Sequence, residues 1–101
     1  MVTFKEKQEL KNQLVDSLKG EMGVRKVVVF GSFLSSDNPR DMDVAVFQDS
    51  TEGYIPLAMK YRKMTRAVSK KISIDIFPIR PDAVTSSILS EIEKGEVVYE
   101  K

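Results

Sequence analysis

The chain of 101 residues contains neither cysteine nor histidine. Their absence excludes disulfide bonds, thiol nucleophiles, zinc sites of the usual kind and every mechanism in which an imidazole is the general base. A large excess of positive or negative charge is also lacking, because sixteen Lys and Arg against fifteen Asp and Glu give a formal net charge of only +1. The whole chain therefore has no field that attracts nucleic acid or an anionic membrane. Any chemistry must use carboxylates, hydroxyls and basic side chains.

Long apolar runs are missing as well, since none approaches the roughly 20 residues that a membrane-spanning helix requires. The first residues, Met1 to Glu9, are too polar for a secretory signal peptide. With 42% hydrophobic and 31% charged residues, the composition is that of a globular protein. We therefore expect one domain over residues 1–101, located in the cytoplasm and without a membrane partner.

The hydrophobic pattern predicts an α/β (α+β) fold in which helices pack against a mixed β-sheet. Four-residue steps between Leu10, Leu14 and Leu18 indicate an amphipathic helix, and β-branched or alternating segments indicate strands. In chain order, we predict a helix over 4–22, strands over 26–30 and 41–47, a helix from 54 to about 71, a strand over 72–77, a helix from Pro81 to Gly95 and a short strand over 96–100.

Two aspartates lie on the second predicted strand. Side chains two residues apart point to the same face of a strand, so Asp41 and Asp43 project together while Met42, Val44 and Val46 face the core. The two like charges repel, and the pair destabilises the fold unless a cation offsets them. Magnesium takes one or two carboxylates together with substrate phosphates. The pair indicates either a magnesium site or a strand side that simply faces solvent.

A third carboxylate lies on the third predicted strand. Asp75 alternates with Ile74 and Ile76, which places it on the face opposite these core residues. A carboxylate beside a magnesium-binding pair can hold or deprotonate a hydroxyl that attacks a phosphate in line. Without histidine in the chain, Asp75 is the candidate base. The alternative is a single exposed aspartate on a strand.

Gly31 and Ser32 directly follow the first predicted strand and precede Asp41 by a short loop. A glycine at the end of a strand lets the backbone come close to a ligand, and a following helical turn aims free N–H groups at it. The Ser32 hydroxyl adds a further donor for phosphate oxygens. Alone, Gly-Ser is a turn signal, and its position gives it weight as a nucleotide-phosphate site.

These residues together resemble a known family. The run 27–32, followed by a loop and then by Asp41–Val44, is similar to the signature of the DNA polymerase beta-like nucleotidyltransferase superfamily, and Asp75 matches its third carboxylate. The stretch Ile88–Tyr99 is similar to the end of the minimal nucleotidyltransferases, many of which are antitoxins in HEPN/MNT toxin–antitoxin pairs. The resemblance implies a nucleotidyltransferase fold like the palm of polymerase beta.

The resemblance also implies a role for each matching residue. Gly31 and Ser32 hold the nucleotide phosphates. Asp41 and Asp43 bind both of two Mg²⁺ ions, and Asp75 binds the catalytic ion and assists the attacking hydroxyl.

The implied activity is transfer of a nucleoside monophosphate, AMP from ATP, to a hydroxyl, with release of pyrophosphate. The implied acceptor is a tyrosine of a HEPN-type toxin, which modification silences; a stable nucleic-acid partner is not expected. The alternative is a binding module that keeps the fold, lacks strong catalysis, and neutralises or scaffolds a partner by contact. Magnesium-dependent nucleotide turnover distinguishes the two.

The segment from Tyr54 to Ile74 carries basic residues and no acidic ones. A solvated helix face explains such a cluster without any function. The functional alternatives are contacts with a triphosphate, an acidic partner or RNA. The basic residues are Lys60, Arg62, Lys63, Arg66, Lys70 and Lys71.

Overall fold

A computed structural model describes residues 2–80 and 87–101 of the chain. The start of the helix predicted from Pro81 lies outside these described residues. The elements are α1 (Phe4–Leu18), β1 (Val24–Phe30), α2 (Ser32–Ser35), β2 (Asp41–Gln48), α3 (Tyr54–Met64), α4 (Arg66–Ser69), β3 (Ser73–Ile79), α5 (Ser87–Glu93) and β4 (Glu96–Glu100). No helix within the described ranges is long and apolar enough to cross a membrane.

The four strands form one mixed sheet in the order β3-β2-β1-β4. β1 is antiparallel to both β2 and β4, whereas β2 and β3 are parallel. Because parallel neighbours need a crossover connection, α3 and α4 lie between β2 and β3 in the chain. The predicted mixed sheet with packed helices is confirmed.

The first helix is shorter than the predicted span. Thr3 and Glu6 form a capping box at its start, in which the Thr3 hydroxyl accepts from the Glu6 N–H at 3.1 Å and the Glu6 carboxylate accepts from the Thr3 N–H at 3.1 Å. The helix ends at Leu18 rather than at Met22. Gly20 disfavours continuation, because glycine loses the most backbone freedom in a helix.

The second predicted helix is interrupted in the structure. It ends as α3 at Met64 and resumes as the short α4 at Arg66. The buried Thr65 hydroxyl donates to the carbonyl oxygen of Tyr61 at 2.8 Å, and such back-bonding of Thr competes with regular helix geometry. One continuous helix to about Lys71 was therefore wrong.

The main core lies between one face of the sheet and the helices α1, α3 and α4. Met42, Val44 and Val46 are fully buried there, which confirms their predicted orientation. The alternation of side chains along β2 therefore determines which of them face the main core, because every second side chain points to the same side of the sheet.

The opposite face of the sheet also carries apolar side chains. Phe30 and Phe77 contact each other with their ring centroids 5.7 Å apart, and Ile92 of α5 packs on the same cluster. Asp75 lies on the face opposite Ile74 and Ile76, as predicted, and this face is apolar farther along and polar at one end. The cluster consists of Val28, Phe30, Ala45, Ile79 and Ile92, with Phe47, Phe77, Ile88 and Leu89 packed against it.

Gly95 joins α5 to β4 at a point of close approach. Its N–H donates to the carbonyl oxygen of Ile92 at 2.9 Å, and a Cβ at this position would lie 2.6 Å from the carbonyl oxygen of Val29. A side chain here would push β4 away from β1. The predicted end of the helix at Gly95 is confirmed to within two residues.

Candidate functional site

The three aspartates lie at one end of the sheet. Asp41 and Asp43 are the first and third residues of β2, and Asp75 is the third residue of β3. The parallel register pairs Asp43 directly with Asp75, so their side chains project from the same face as neighbours. Asp41 and Asp75 are exposed, whereas Asp43 is half-buried. The structure thus brings together three carboxylates that come from two separate parts of the sequence.

Burial and the neighbouring carboxylates both raise the pKa of Asp43. Burial is the main cause that raises the pKa of Asp43 above its ordinary value. The neighbouring Asp75 adds charge repulsion and a hydrogen-bonding interaction that favours the protonated form, and the charge of Asp41 acts in the same direction. A cation at this position would relieve the repulsion.

Gly31 lies directly against this cluster. It has a φ of 79°, in the left-handed region that favours glycine, and follows Phe30, whose register partner is Asp43. A Cβ on Gly31 would lie 2.5 Å from Oδ2 of Asp43. The position therefore requires glycine both for its backbone conformation and for the space that the carboxylate occupies.

Ser32 begins α2, which is a single helical turn. The interpretation of Gly31 and Ser32 as a nucleotide-phosphate site predicted a helical turn here. The turn is anchored by Phe33, which is fully buried in the main core, and by Lys7, which donates to the carbonyl oxygen of Ser36 at 2.6 Å. The first N–H groups of a helical turn have no partner within it. Ser32 is exposed and directly follows Gly31, the residue that lies against Asp43.

The donor set suits magnesium, although the aspartates do not form a complete cage. Within residues 2–80 and 87–101, no three acidic, histidine or cysteine side chains are grouped as a preformed metal centre. Magnesium does not need one, because it keeps several waters and is commonly held by one or two carboxylates plus substrate phosphates. Asp41, Asp43 and Asp75 provide hard oxygen ligands of that kind.

Arg62 is a site residue that the sequence analysis placed only in the basic segment. It lines a cavity of about 310 Å³ together with Asp41 and Asp75, and it makes no ion pair with any residue that the structure describes. A guanidinium beside exposed carboxylates offers a site for phosphate or for an acidic group. No local signal marks Arg62, because only the crossover from β2 to β3 brings it to the aspartates.

A larger cavity of about 660 Å³ lies between α1 and the residues that precede β2 and β3. Glu6, Arg40 and Lys71 line it together with Ser73, and none of the three aspartates does. Its acidic residues are Glu6 and Glu9, and neither Gly31 nor Ser32 lines it. The candidate chemistry therefore lies at the aspartates and not in the larger cavity.

The fold is that of a nucleotidyltransferase. The model of the family described as "Polymerase beta, Nucleotidyltransferase" matches residues 12–101, and the chain belongs to this family.

One curated relative and two solved structures are similar to this chain. The protein adenylyltransferase MntA of Thermococcus cleftensis is 25% identical over 99 residues, which cover 98% of this chain and 97% of that protein. A structure of the tri-AMPylated HEPN toxin of Shewanella oneidensis in complex with MNT antitoxin contains a chain with a TM-score of 0.63 and 17% identity, matched over 94% of this chain and 73% of that one. A toxin–antitoxin structure with AMP-PNP matches with a TM-score of 0.63 and 17% identity, over 90% of this chain and 73% of that one.

Gly31→Ala tests the fit between the glycine and Asp43. We expect the free energy of unfolding to fall by about 1–3 kcal/mol, because alanine is strained at this φ and its Cβ displaces the carboxylate. Nucleotide turnover should fall with it. Chemical denaturation and a turnover assay measure both effects. Gly20→Ala is the matched control, because a Cβ there meets no atom within 4 Å. Equal stability and turnover in the two variants would contradict the fit.

Proposed function

We propose that the protein is a magnesium-dependent adenylyltransferase that transfers AMP from ATP to a tyrosine hydroxyl of a HEPN-type toxin and thereby acts as its antitoxin. The observation that carries the proposal is the register pair of Asp43 and Asp75 beside Gly31, within a nucleotidyltransferase fold. The adenylyltransferase named among the relatives supports the choice of AMP, and the AMPylated HEPN toxin complex supports the acceptor.

Nucleotide binding uses the end of β1 and the start of β2. Gly31 allows the backbone to approach the phosphates, and the Ser32 hydroxyl donates to their oxygens. Asp41 and Asp43 would hold the metal that arrives with the triphosphate. Mg²⁺ bound there would supply positive charge for the phosphates and for the pyrophosphate that leaves. The half-buried position of Asp43 fixes its carboxylate, and the closeness of Gly31 limits its rotation.

Asp75 acts on the acceptor. Its carboxylate is exposed, so a hydroxyl presented by another protein can reach it. The carboxylate takes the proton as the acceptor oxygen bonds to the α-phosphorus, and the bond from the α-phosphorus to the bridging oxygen breaks in line to release pyrophosphate. In this way one transfer yields an AMP-modified tyrosine and pyrophosphate.

The test uses α-³²P-labelled ATP, Mg²⁺, this protein and the HEPN-domain protein of the same cell. We expect label on the HEPN protein, none after chelation of Mg²⁺ with EDTA, and none with Asp43→Asn. Label in RNA or in small metabolites would overturn the protein acceptor and leave the nucleotidyltransferase assignment in place. Absence of any magnesium-dependent turnover would favour the binding module that acts by contact.

A further inference from the structure

A groove runs along the outer side of β3, between this strand and α3. Its middle section is a cavity of about 250 Å³, and the section beyond Arg62 is the cavity of about 310 Å³ that Asp41 and Asp75 line. The two sections share Arg62 and Asp75, so the candidate base lies where they meet. The middle section is lined by Tyr54, Ile55, Ala58, Met59, Arg62, Asp75, Ile76 and Phe77.

The flank formed by α3 is apolar and open to solvent. Tyr54, Ile55 and Met59 are 53%, 65% and 65% exposed, and they are three of the six large hydrophobic side chains exposed in the described ranges. Ile55, Met59 and Arg62 follow helical spacing, so one face of α3 presents two apolar side chains and then a guanidinium toward the aspartates. Exposed apolar side chains gathered in this way indicate a contact surface.

The other flank is an edge strand. Among the described strands, β3 pairs with β2 on one side only, so its other side is an edge of the sheet. Arg80 donates to the carbonyl oxygens of Ser50 and Glu52 at 3.2 and 3.4 Å, which holds the loop before α3 at the far end of the groove. From Asp75 to Ile79 the edge is about 15 Å long, enough for roughly five extended residues.

The charge around the groove indicates the chemistry of its occupant. Lys60 is engaged by Glu21 at 3.3 Å and Glu52 at 3.7 Å. Arg62 lines both sections of the groove, and Lys63 and Arg66 follow it in the chain; none of the three forms an ion pair with described residues. The acidic residues of these two sections are Asp41 and Asp75, which belong to the candidate magnesium site. An acidic segment with apolar side chains complements both the cations and the apolar flank.

We infer that this groove is the docking site of the acceptor protein, which lays an acidic segment with apolar anchors along α3 and β3 and presents its hydroxyl at Asp75. The inference rests on the proposed function and specifies the surface through which it works. Docking supplies the positioning that in-line attack requires, because the groove leads directly to the exposed carboxylate. Met59 is the central apolar contact of this surface.

The test compares Met59→Glu with Met22→Glu in calorimetric binding to the HEPN-domain protein of the same cell. Both methionines are exposed, at 65% and 82%, so neither substitution disturbs the core. We expect Met59→Glu to weaken acceptor binding at least about tenfold, because it removes an apolar contact and places a carboxylate against an acidic segment. Met22→Glu should bind like the wild type. AMP-PNP affinity should be unchanged in both variants.

Reversal of basic side chains provides a second test of the docking site. Reversal at Lys63 and Arg66 should weaken acceptor binding and labelling, whereas Lys5→Glu on α1, which lines neither section of the groove, should change neither. Equal binding by Met59→Glu and wild type, or no binding by the wild type, would overturn the docking site. Concentration-dependent self-association that Met59→Glu abolishes would assign the groove to a second copy instead. Normal docking without label would overturn the proposed transfer and retain the docking site.

Discussion

Asp43→Asn is expected to reduce AMP transfer by at least about a thousandfold, because it removes a metal ligand and with it several kcal/mol of transition-state stabilisation. Asp41→Asn should also abolish transfer, since Asp41 lies two residues before it on the same strand face. The measurement is the rate of label transfer from α-³²P ATP by purified protein at saturating Mg²⁺. Full activity in either variant would contradict the metal-site assignment.

The same substitution should leave stability equal or raise it. The pKa of Asp43 is raised in the folded protein, so between the ordinary carboxyl pKa of 3.8 and the folded value the native state binds more protons than the unfolded state. Stability therefore falls as pH rises through this window, and the loss is complete above the folded pKa. Asparagine removes that loss. Thermal unfolding without Mg²⁺ at pH 7 checks this, and a large drop in Tm for both Asp41→Asn and Asp43→Asn would contradict it.

Asp75→Asn is expected to separate nucleotide binding from turnover. In the proposed site Asp41 and Asp43 on β2 hold the metal that accompanies the triphosphate, so calorimetry should give an AMP-PNP affinity close to that of the wild type. The rate of transfer should fall about 100-fold or more, because an amide cannot accept the proton of the attacking hydroxyl.

Asp43→Asn is the comparison that decides the role of Asp75. If Asp75→Asn loses nucleotide affinity to the same degree as Asp43→Asn, Asp75 is chiefly a binding ligand and not a base. Near-normal transfer by Asp75→Asn would remove it from the chemistry altogether.

The strands and the direction of their side chains could be predicted from the sequence because both depend on short-range alternation. Met42 and Val44 face the core and Asp41 and Asp43 share the other face, as a repeat of two residues requires. The strand order could not be predicted in this way. Nothing local in β3 or β4 tells which existing strand each will join, because that depends on crossover geometry and on packing of distant helices.

The candidate site was predictable where its parts lie in strands and hidden where they depend on tertiary contacts. Gly31 and Asp43 each carry a sequence signal, but their contact follows from the antiparallel register of β1 and β2. Arg62 has no such signal, and it reaches Asp75 through the packing of α3 against β3. The break at Thr65 was missed because apolar spacing continues across it, while the competing hydroxyl bond to Tyr61 forms only in the folded protein.

The sheet combines an antiparallel half, formed by β2, β1 and β4, and a parallel half, formed by β2 and β3. This division affects how the protein folds. β1 and β2 are joined by α2 and a short loop, so closing their contact loses little chain entropy. β3 follows β2 in the chain only after α3 and α4, and its pairing with β2 brings Asp75 beside Asp43. Repulsion between Asp43 and Asp75 therefore opposes the parallel pairing, whereas repulsion between Asp41 and Asp43 is already present within β2. In the proposed function, binding of nucleotide with its metal would offset this repulsion and stabilise the parallel pairing.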